Sequence, residues 1–296
     1  MITARMVCDS VSDLKIRLST LELVYPRYIH AEFMTHRVFS RNAASSRAIP
    51  VSAMLRAIHW QPVTPIEWGT NKKGMQAGDP LSGIKLWGAQ RLWGLHRRLS
   101  TSIAWGLSKC DVHKQHVNRL TEAHQHMKVL VSSTDWANFI ELREHPDAMP
   151  EIQQLATLIR EELEESVPRR VAEGNWHLPY IDEATCLDLE AYVGGDPRKI
   201  DDDTTIAALR LISAARCARV SYTTIGSGSK GVLRAFEDDL ALGRRLVESR
   251  PIHASPMEHQ ATPMAKVMRS NNFRGWVQYR KLIPGECVAD LPYEGE

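Results

Sequence analysis

Residues 35–47 read Thr35-His36-Arg37-Val38-Phe39-Ser40-Arg41-Asn42-Ala43-Ala44-Ser45-Ser46-Arg47. Three arginines, a histidine, three serines and an asparagine fall within thirteen positions. Guanidinium forks bind phosphate bidentately and hydroxyls add short hydrogen bonds, so the segment suits an anionic nucleotide. The same composition also describes a solvated polar loop, and composition alone leaves the two readings even.

Upstream of this stretch, residues 14–25 (LKIRLSTLELVY) alternate loosely and carry Ile, Leu, Val and Tyr, which predicts a strand broken by Pro26. Residues 27–39 read as a short helix, and the polar run Ser40–Arg47 then leads to Pro50. Downstream, 51–59 reads as a helix and 60–80 as a loop rich in proline and glycine. Over 81–107, Leu81, Ile84, Leu86, Leu92, Leu95, Leu99 and Ile103 recur at near-helical spacing, which predicts one long amphipathic helix or two shorter ones. Residues 113–127 read as a histidine-rich helix. Two more helices follow at 134–145 and 150–166, the second with the stripe Ile152, Leu155, Ala156, Ile159 and Leu163. The polar stretch 182–204 reads as a linker, 205–222 starts as a helix, GSGSKG at 226–231 is a flexible loop, and 232–249 is a charged amphipathic helix. Helix dominates this reading, with few convincing strands and no tandem repeat.

The chain has 296 residues, 43% hydrophobic and 24% charged, which is ordinary globular composition and ample for a sizeable core. The net charge is +2, which argues against a polyanionic partner such as nucleic acid. Cys8, Cys110, Cys186, Cys217 and Cys287 are scattered, odd in number and form no CxxC pair, so a reducing cytoplasm is expected and a disulfide scaffold is not. No apolar leader and no run of about 18 apolar residues occurs, so no membrane association is expected.

Other candidates are less specific. His253-Ala254-Ser255-Pro256-Met257-Glu258-His259 lacks the HExxH spacing of a zinc helix, and hydrogen bonding to a ligand or backbone is the better reading. His113, His116, His124 and His126 read as a solvated helix face and not as a metal cluster; no metal is expected. GSGSKG does not satisfy the phosphate-loop pattern. Arg143, in Asn138-Phe139-Ile140-Glu141-Leu142-Arg143, either clamps an anionic ligand or pairs with a surface glutamate, the default for an isolated arginine. The aromatics Phe273, Trp276 and Tyr279 read as core.

Taken together, these pieces resemble the flavin-dependent thymidylate synthase family, ThyX. Its signature RHRxxSxNxxSxR is met by His36, Arg37, Ser40, Asn42, Ser45 and Arg47, with Thr35 at the first position. Its HxSPxEH element resembles His253 to His259, preceded by an alanine-rich run at Ala214–Tyr222. Its [NH]FxxxR helix resembles Asn138, Phe139 and Arg143, followed by Ala148, Glu151 and Ile152. In the family HxSPFEH comes first; here it comes last. The chain therefore looks circularly permuted, a type associated with bacteriophages, with 1–170 similar to the later part of the family and 205–264 to the earlier part.

The resemblance implies a single-domain α+β fold, a small mixed or antiparallel sheet with several long helices, and a homotetramer. It implies FAD as cofactor, with NADPH and methylenetetrahydrofolate as co-substrates, and one-carbon transfer to C5 of dUMP or dCMP. Carried over residue by residue, His36, Arg37, Asn138, Ser255, Glu258 and His259 would contact or support flavin. Ser45, Arg47, Arg119 and Arg143 would bind the nucleotide, Arg143 also stabilising the anionic pyrimidine as the catalytic residue. Three departures stand out: Thr35 for the first arginine, Ala43 for a glutamate, and Ser132-Ser133-Thr134 for an N-x-R element. They leave the acceptor open between dUMP and dCMP, and the product open between methyl and hydroxymethyl. Of another class, a non-enzymatic nucleotide or nucleic-acid binding protein would use 36–47 for phosphates.

Overall fold

The computed structural model describes residues 1–192, 202–222 and 236–287. Its centre is a sheet of β1 (Thr3–Ser12), β2 (Arg17–Pro26), β3 (Ser40–Ala43), β4 (His126–Ser133) and β5 (Arg169–Val171), in the order β3-β4-β2-β1-β5. Every neighbouring pair is antiparallel except β1 and β5, so the sheet is mixed.

In β2, successive side chains point to opposite faces. Leu21, Leu23 and Tyr25 face a core built from Met127, Val129 and Val131 of β4 and the aromatic rings of Phe33, Phe39 and Phe139. The predicted stripe Ile152, Leu155, Ala156 and Ile159 closes this core from α6 (Pro150–Glu165). On the other face, Leu130 of β4 packs against Tyr180, Cys217 and Val220, where α8 (Asp202–Arg219) ends. Because both faces are covered, the polar members of β2 must be partnered inside the protein. Glu22 accepts from the Tyr180 hydroxyl at 2.8 Å and pairs with the buried Lys128 ammonium at 3.2 Å.

The sheet is the main correction to the sequence reading. The strand predicted at 14–25 is β2, and β1, β3 and β4 were not foreseen. β1 alternates only weakly because it is half-exposed along most of its length. Ser40–Arg47, read as a connection, contains β3, whose polar residues are paired in register with β4. The helix expected over 27–39 shrinks to a 3-10 turn at Arg27–Ile29 and the single turn α1 (His30–Phe33). Within 113–127 there are only α4 (Lys114–Val117) and a 3-10 segment, Asn118–His124, before β4 begins.

The other helices fall where expected: α2 (Val51–Trp60), the unbroken α3 (Gly83–Lys109), α5 (Ala137–Arg143) and α9 (Phe236–Glu248). The expected linker 182–204 instead contains α7 (Glu183–Tyr192), and GSGSKG lies outside the described residues. One orientation is reversed. The predicted apolar stripe of α3 points to solvent, with Ile84 83% and Leu92 68% exposed. Its anchoring face is instead Trp93, Ser100 and Ala104, with the Trp93 indole donating to the Val63 carbonyl at 3.0 Å.

The C-terminal part is a small antiparallel layer in which β6 (Ala261–Pro263) pairs with β9 (Trp276–Gln278), alongside the hairpin β7 (Arg269–Ser270) and β8 (Phe273–Arg274). Phe273 and Trp276 are fully buried core, as expected, against Ile16, Leu18 and Val171. Trp276 also donates to the Ile16 carbonyl at 3.2 Å, tying the end of the chain to the start of β2. No helix among the described residues is long and apolar enough to cross a membrane, and Cys8, Cys110, Cys217 and Cys287 are free thiols.

Helices α8 and α9 cross closely at Gly243, where a Cβ would lie 2.4 Å from the Leu211 carbonyl oxygen. Backbone cannot yield as a side-chain tip can. Gly243→Ala is expected to cost about 1–3 kcal/mol, or more if the helices separate, read as a lower denaturant midpoint.

Candidate active site

Three segments remote in sequence meet at the β3–β4 edge of the sheet. Helix α5 follows β4 and buries Phe139, whose ring meets the His36 ring edge-on at 4.9 Å. Arg143 lies one turn beyond Phe139 on the same helix face. Its Nε donates to His36 Nε2 at 3.0 Å and its Nη2 to Thr35 Oγ1 at 3.3 Å. A looser ion pair joins its Nη1 to Glu32 at 3.5 Å. Arg143 is thus held by the 32–36 turn, while 22% of its side chain remains open to solvent.

Burial, then the nearby Arg143 and Arg41 guanidinium groups, lower the His36 pKa to about 4. The ring is therefore neutral at pH 7. Since Nε2 accepts from Arg143, the ring proton sits on Nδ1. A neutral acceptor fixes the arginine without cancelling its charge. Arg41 completes the turn by donating to the carbonyls of Phe33 and His36 at 3.3 and 3.2 Å.

A second group forms at the other end of β3. The turn 45–49 closes through Ala48 N–H to the Ser45 carbonyl at 3.0 Å, and Ser45 Oγ accepts from Arg47 N–H at 3.2 Å. The Asn118 amide clamps the turn from outside, donating to the carbonyls of Ser46 and Ile49 at 2.8 and 2.9 Å. Arg119, the next residue, is exposed and pairs loosely with Glu122 at 3.6 Å. Arg47 is exposed as well. Arg27 reaches the same region, donating from Nη2 to the Ala44 carbonyl at 3.2 Å, while its buried Nε has no partner among the described residues.

The third segment is the 3-10 turn Ser255–Glu258. It docks on β3 through Gln278, whose amide donates to both Ser40 Oγ (2.8 Å) and the Glu258 carbonyl (2.9 Å). Glu258 is ion-paired with Arg280 at 2.5 Å. His259 is fully buried and its Nδ1 meets Ser132 Oγ at 2.9 Å. From there a polar chain runs inside the sheet. Ser132 Oγ meets Thr20 Oγ1 at 2.5 Å, Thr20 meets His177 Nε2 at 2.8 Å, and His177 Nδ1 meets Ser10 Oγ at 2.8 Å.

Desolvation lowers both His177 and His259 to about 3 from an ordinary 6.5. The unfolded chain therefore takes up these protons first. The stabilisation is complete above about pH 6.5 and is lost as pH falls toward 3. At pH 5 the loss is about 2 kcal/mol for each ring. Urea unfolding at pH 7 and pH 5 should show it, and His259→Gln should reduce the dependence by one ring's share, leaving that of His177 and of the depressed His30, His36 and His126.

The structure thus brings Arg143 and His36 into contact, and places Ser45, Arg47 and Arg119 in a separate group. Asn138 and Arg143 do not share a face, standing about 140° apart around α5. The side chains of Arg37, Asn138 and Ser255 are exposed and have no protein partner among the described residues, whereas Glu258 and His259 are committed to Arg280 and Ser132. Arg143 is not paired with a neighbouring surface glutamate alone. Sequence reading missed Glu32 and Arg27; Arg27 stands directly after the strand-ending Pro26, and that placement was its only signal. The histidines of 113–127 do not make one solvated face either. His124 and His126 are buried, His124 bonded to His96 at 2.7 Å and His126 to the N-terminal ammonium at 2.8 Å. No cluster that would hold a metal occurs among the described residues.

No protein-family model matches the chain, and no curated protein does. Among solved structures, the UMP/dUMP methylase PolB from Streptomyces cacaoi bound with 5-Br dUMP is similar at 15% identity and a TM-score of 0.46, over 55% of this chain and 90% of that one. The same enzyme bound with 5-Br UMP is similar at 14% identity and a TM-score of 0.43, over 55% of this chain and 88% of that one.

Proposed function

We propose that this protein is a flavin-dependent enzyme that transfers a one-carbon unit to C5 of a pyrimidine deoxynucleoside monophosphate, in the manner of a circularly permuted ThyX. The observation that carries this reading is the Arg143 guanidinium, held by the neutral His36 ring and the Thr35 hydroxyl and still open to a ligand. C5 of a pyrimidine becomes nucleophilic when negative charge is pushed into the ring. A fixed guanidinium beside the ring oxygens stabilises that charge without reorganising. His36 takes the Nε–H of Arg143, and each terminal amine, beyond its contact with Thr35 or Glu32, keeps one N–H for the substrate. The 45–49 turn, with Ser45, Arg47 and Arg119, offers hydroxyl and guanidinium donors to the 5′-phosphate.

The residues with no protein partner among the described residues fit a flavin: Arg37 for its phosphates, Asn138 and Ser255 for polar edges. Glu258 and His259 act one step removed, Glu258 by tying the Ser255 turn to Arg280 and His259 by tying it to Ser132 of β4. A bound flavin, reduced by NADPH, supplies hydride, and methylenetetrahydrofolate supplies the carbon. The protein's own part is to orient, to hold charge and to exclude water. A homotetramer in the cytoplasm is the expected setting.

A hydroxymethyl product is favoured by one feature. Thr35 is exposed beside Arg143, where the family carries an arginine, and a short side chain there leaves room for water. The test is product mass after incubation with FAD, NADPH and methylenetetrahydrofolate, offering dUMP and dCMP separately. Methyl on dUMP means thymidylate synthesis; hydroxymethyl on either nucleotide, or any gain on dCMP, means base modification. No product from either, and no flavin retained, would reject the reading.

A further inference from the structure

The face of α3 turned away from the body has a self-complementary pattern. Gly88, Leu92, Leu95, Leu99, Ser102 and Gly106 follow one another at steps of four, three, four, three and four residues. That is a heptad seam, and it is symmetric about residue 97. The three leucines are 68%, 49% and 54% exposed, and Ile103 beside them is 55% exposed. Helix-interior glycine is unfavourable unless something must approach closely. A Cβ at Gly88 or Gly106 would meet nothing within 4 Å among the described residues of this chain. Gly94 has the same open surroundings but lies off the seam.

We propose that α3 is the interface between two copies of this chain, paired antiparallel along this seam. Reversal about residue 97 sets Leu95 of one copy against Leu99 of the other, Leu92 against the small Ser102, and Gly88 against Gly106. Bulky meets small at the flanks, and the glycines let the backbones close. The flanking positions agree: Arg91 of one copy comes opposite Trp105 of the other, and Ala89 opposite Ile103. At 27 residues the helix is about 40 Å long. Its exposed apolar side chains, with Trp87 59% and Trp105 57% exposed among them, present on the order of 800 Å², one side of a standard protein interface. The proposal stands independently of the catalytic reading.

Charge sets the sign of the test. α3 carries Lys85, Arg91, Arg97, Arg98 and Lys109 and no acidic residue. In the pair, Arg98 meets its own copy across the two-fold axis. Screening relieves that repulsion, so salt should tighten self-association. Binding of α3 to an anionic membrane would weaken with salt instead.

Sedimentation equilibrium of the full chain at low and high salt should show a dimer or dimer-based oligomer, tighter at high salt. Leu95→Glu and Gly106→Leu should each weaken it at least tenfold with unchanged circular dichroism; the second raises helix propensity, so loss of fold cannot explain its effect. Mixing Leu95→Cys protein with Leu99→Cys protein should give a disulfide between the two variants, above the background of wild-type chain carrying its exposed Cys110 and Cys287. A monomeric wild type, an oligomer indifferent to both substitutions, or disulfides joining two Leu95→Cys chains would each overturn the proposal. So would a monomer that binds phosphatidylserine vesicles through α3 and is released by salt.

Discussion

Arg143→Ala is expected to lower kcat/KM for the proposed one-carbon transfer by about 10²–10³, the cost of removing one preorganised charge-stabilising donor. The Arg143 side chain is 22% exposed and bonds to the 32–36 turn, so thermal unfolding should move by less than the loss of a core residue would move it. Arg143→Lys is not a conservative rescue, because a lysine cannot donate to His36 and a substrate ring in one plane. His36→Phe separates positioning from charge. It keeps the edge-on packing on Phe139 but removes the acceptor for Nε, freeing the arginine to swing toward Glu32. Its expected signature is a kcat decrease smaller than that of Arg143→Ala, with nucleotide affinity largely retained. Equal product formation by wild type and Arg143→Ala would remove this arginine from the site.

The second large effect is on stability and lies in the α8–α9 pair. Asp239 is fully buried, and its carboxylate binds Arg216 at 2.8 Å and Arg219 at 2.7 Å. Arg216, 4% exposed, also donates to the Tyr180 carbonyl at 2.6 Å and to Thr185 Oγ1 at 2.7 Å. Asp239→Ala leaves a buried guanidinium without its counter-ion and is expected to cost about 3–5 kcal/mol. Against a typical total of about 5–15 kcal/mol, this is the difference between a folded and a marginal protein. Denaturant unfolding checks it. The double variant Asp239→Leu with Arg216→Leu should recover part of the loss, since it removes the more deeply buried guanidinium along with its counter-ion and leaves only the less buried Arg219 unpaired. Arg216 falls in the alanine-rich run that resembles a family element; in this chain the arginine is a structural clamp.

The resemblance to a family signature was legible because it rests on functional groups at fixed local spacing. His36, Arg37, Ser45 and Arg47 sit on one continuous segment, so the sequence alone could group them. The helix of Phe139 and Arg143 was legible for the same reason, as were α2, α3 and α6, whose periodicity repeats over several turns. The strands were harder. β4 (HMKVLVSS) is buried on both faces and shows no alternation, and β3 is a polar tetrapeptide that is a strand only because β4 offers it partners.

What the amino-acid order determined by itself was therefore local: which segments are helical, and which carry guanidinium, imidazole and hydroxyl groups close together. The tertiary structure decided what each group touches. It spent Glu258 on Arg280 and His259 on Ser132, left Arg37, Asn138 and Ser255 open, and turned Arg143 onto a histidine 107 residues away. It also turned the apolar stripe of α3 outward, which periodicity cannot foretell, because a period of 3.6 residues marks a face without saying what lies across from it. Those outcomes depend on which surfaces meet when the sheet closes, and contacts between residues far apart in the chain leave no mark in either one's local sequence.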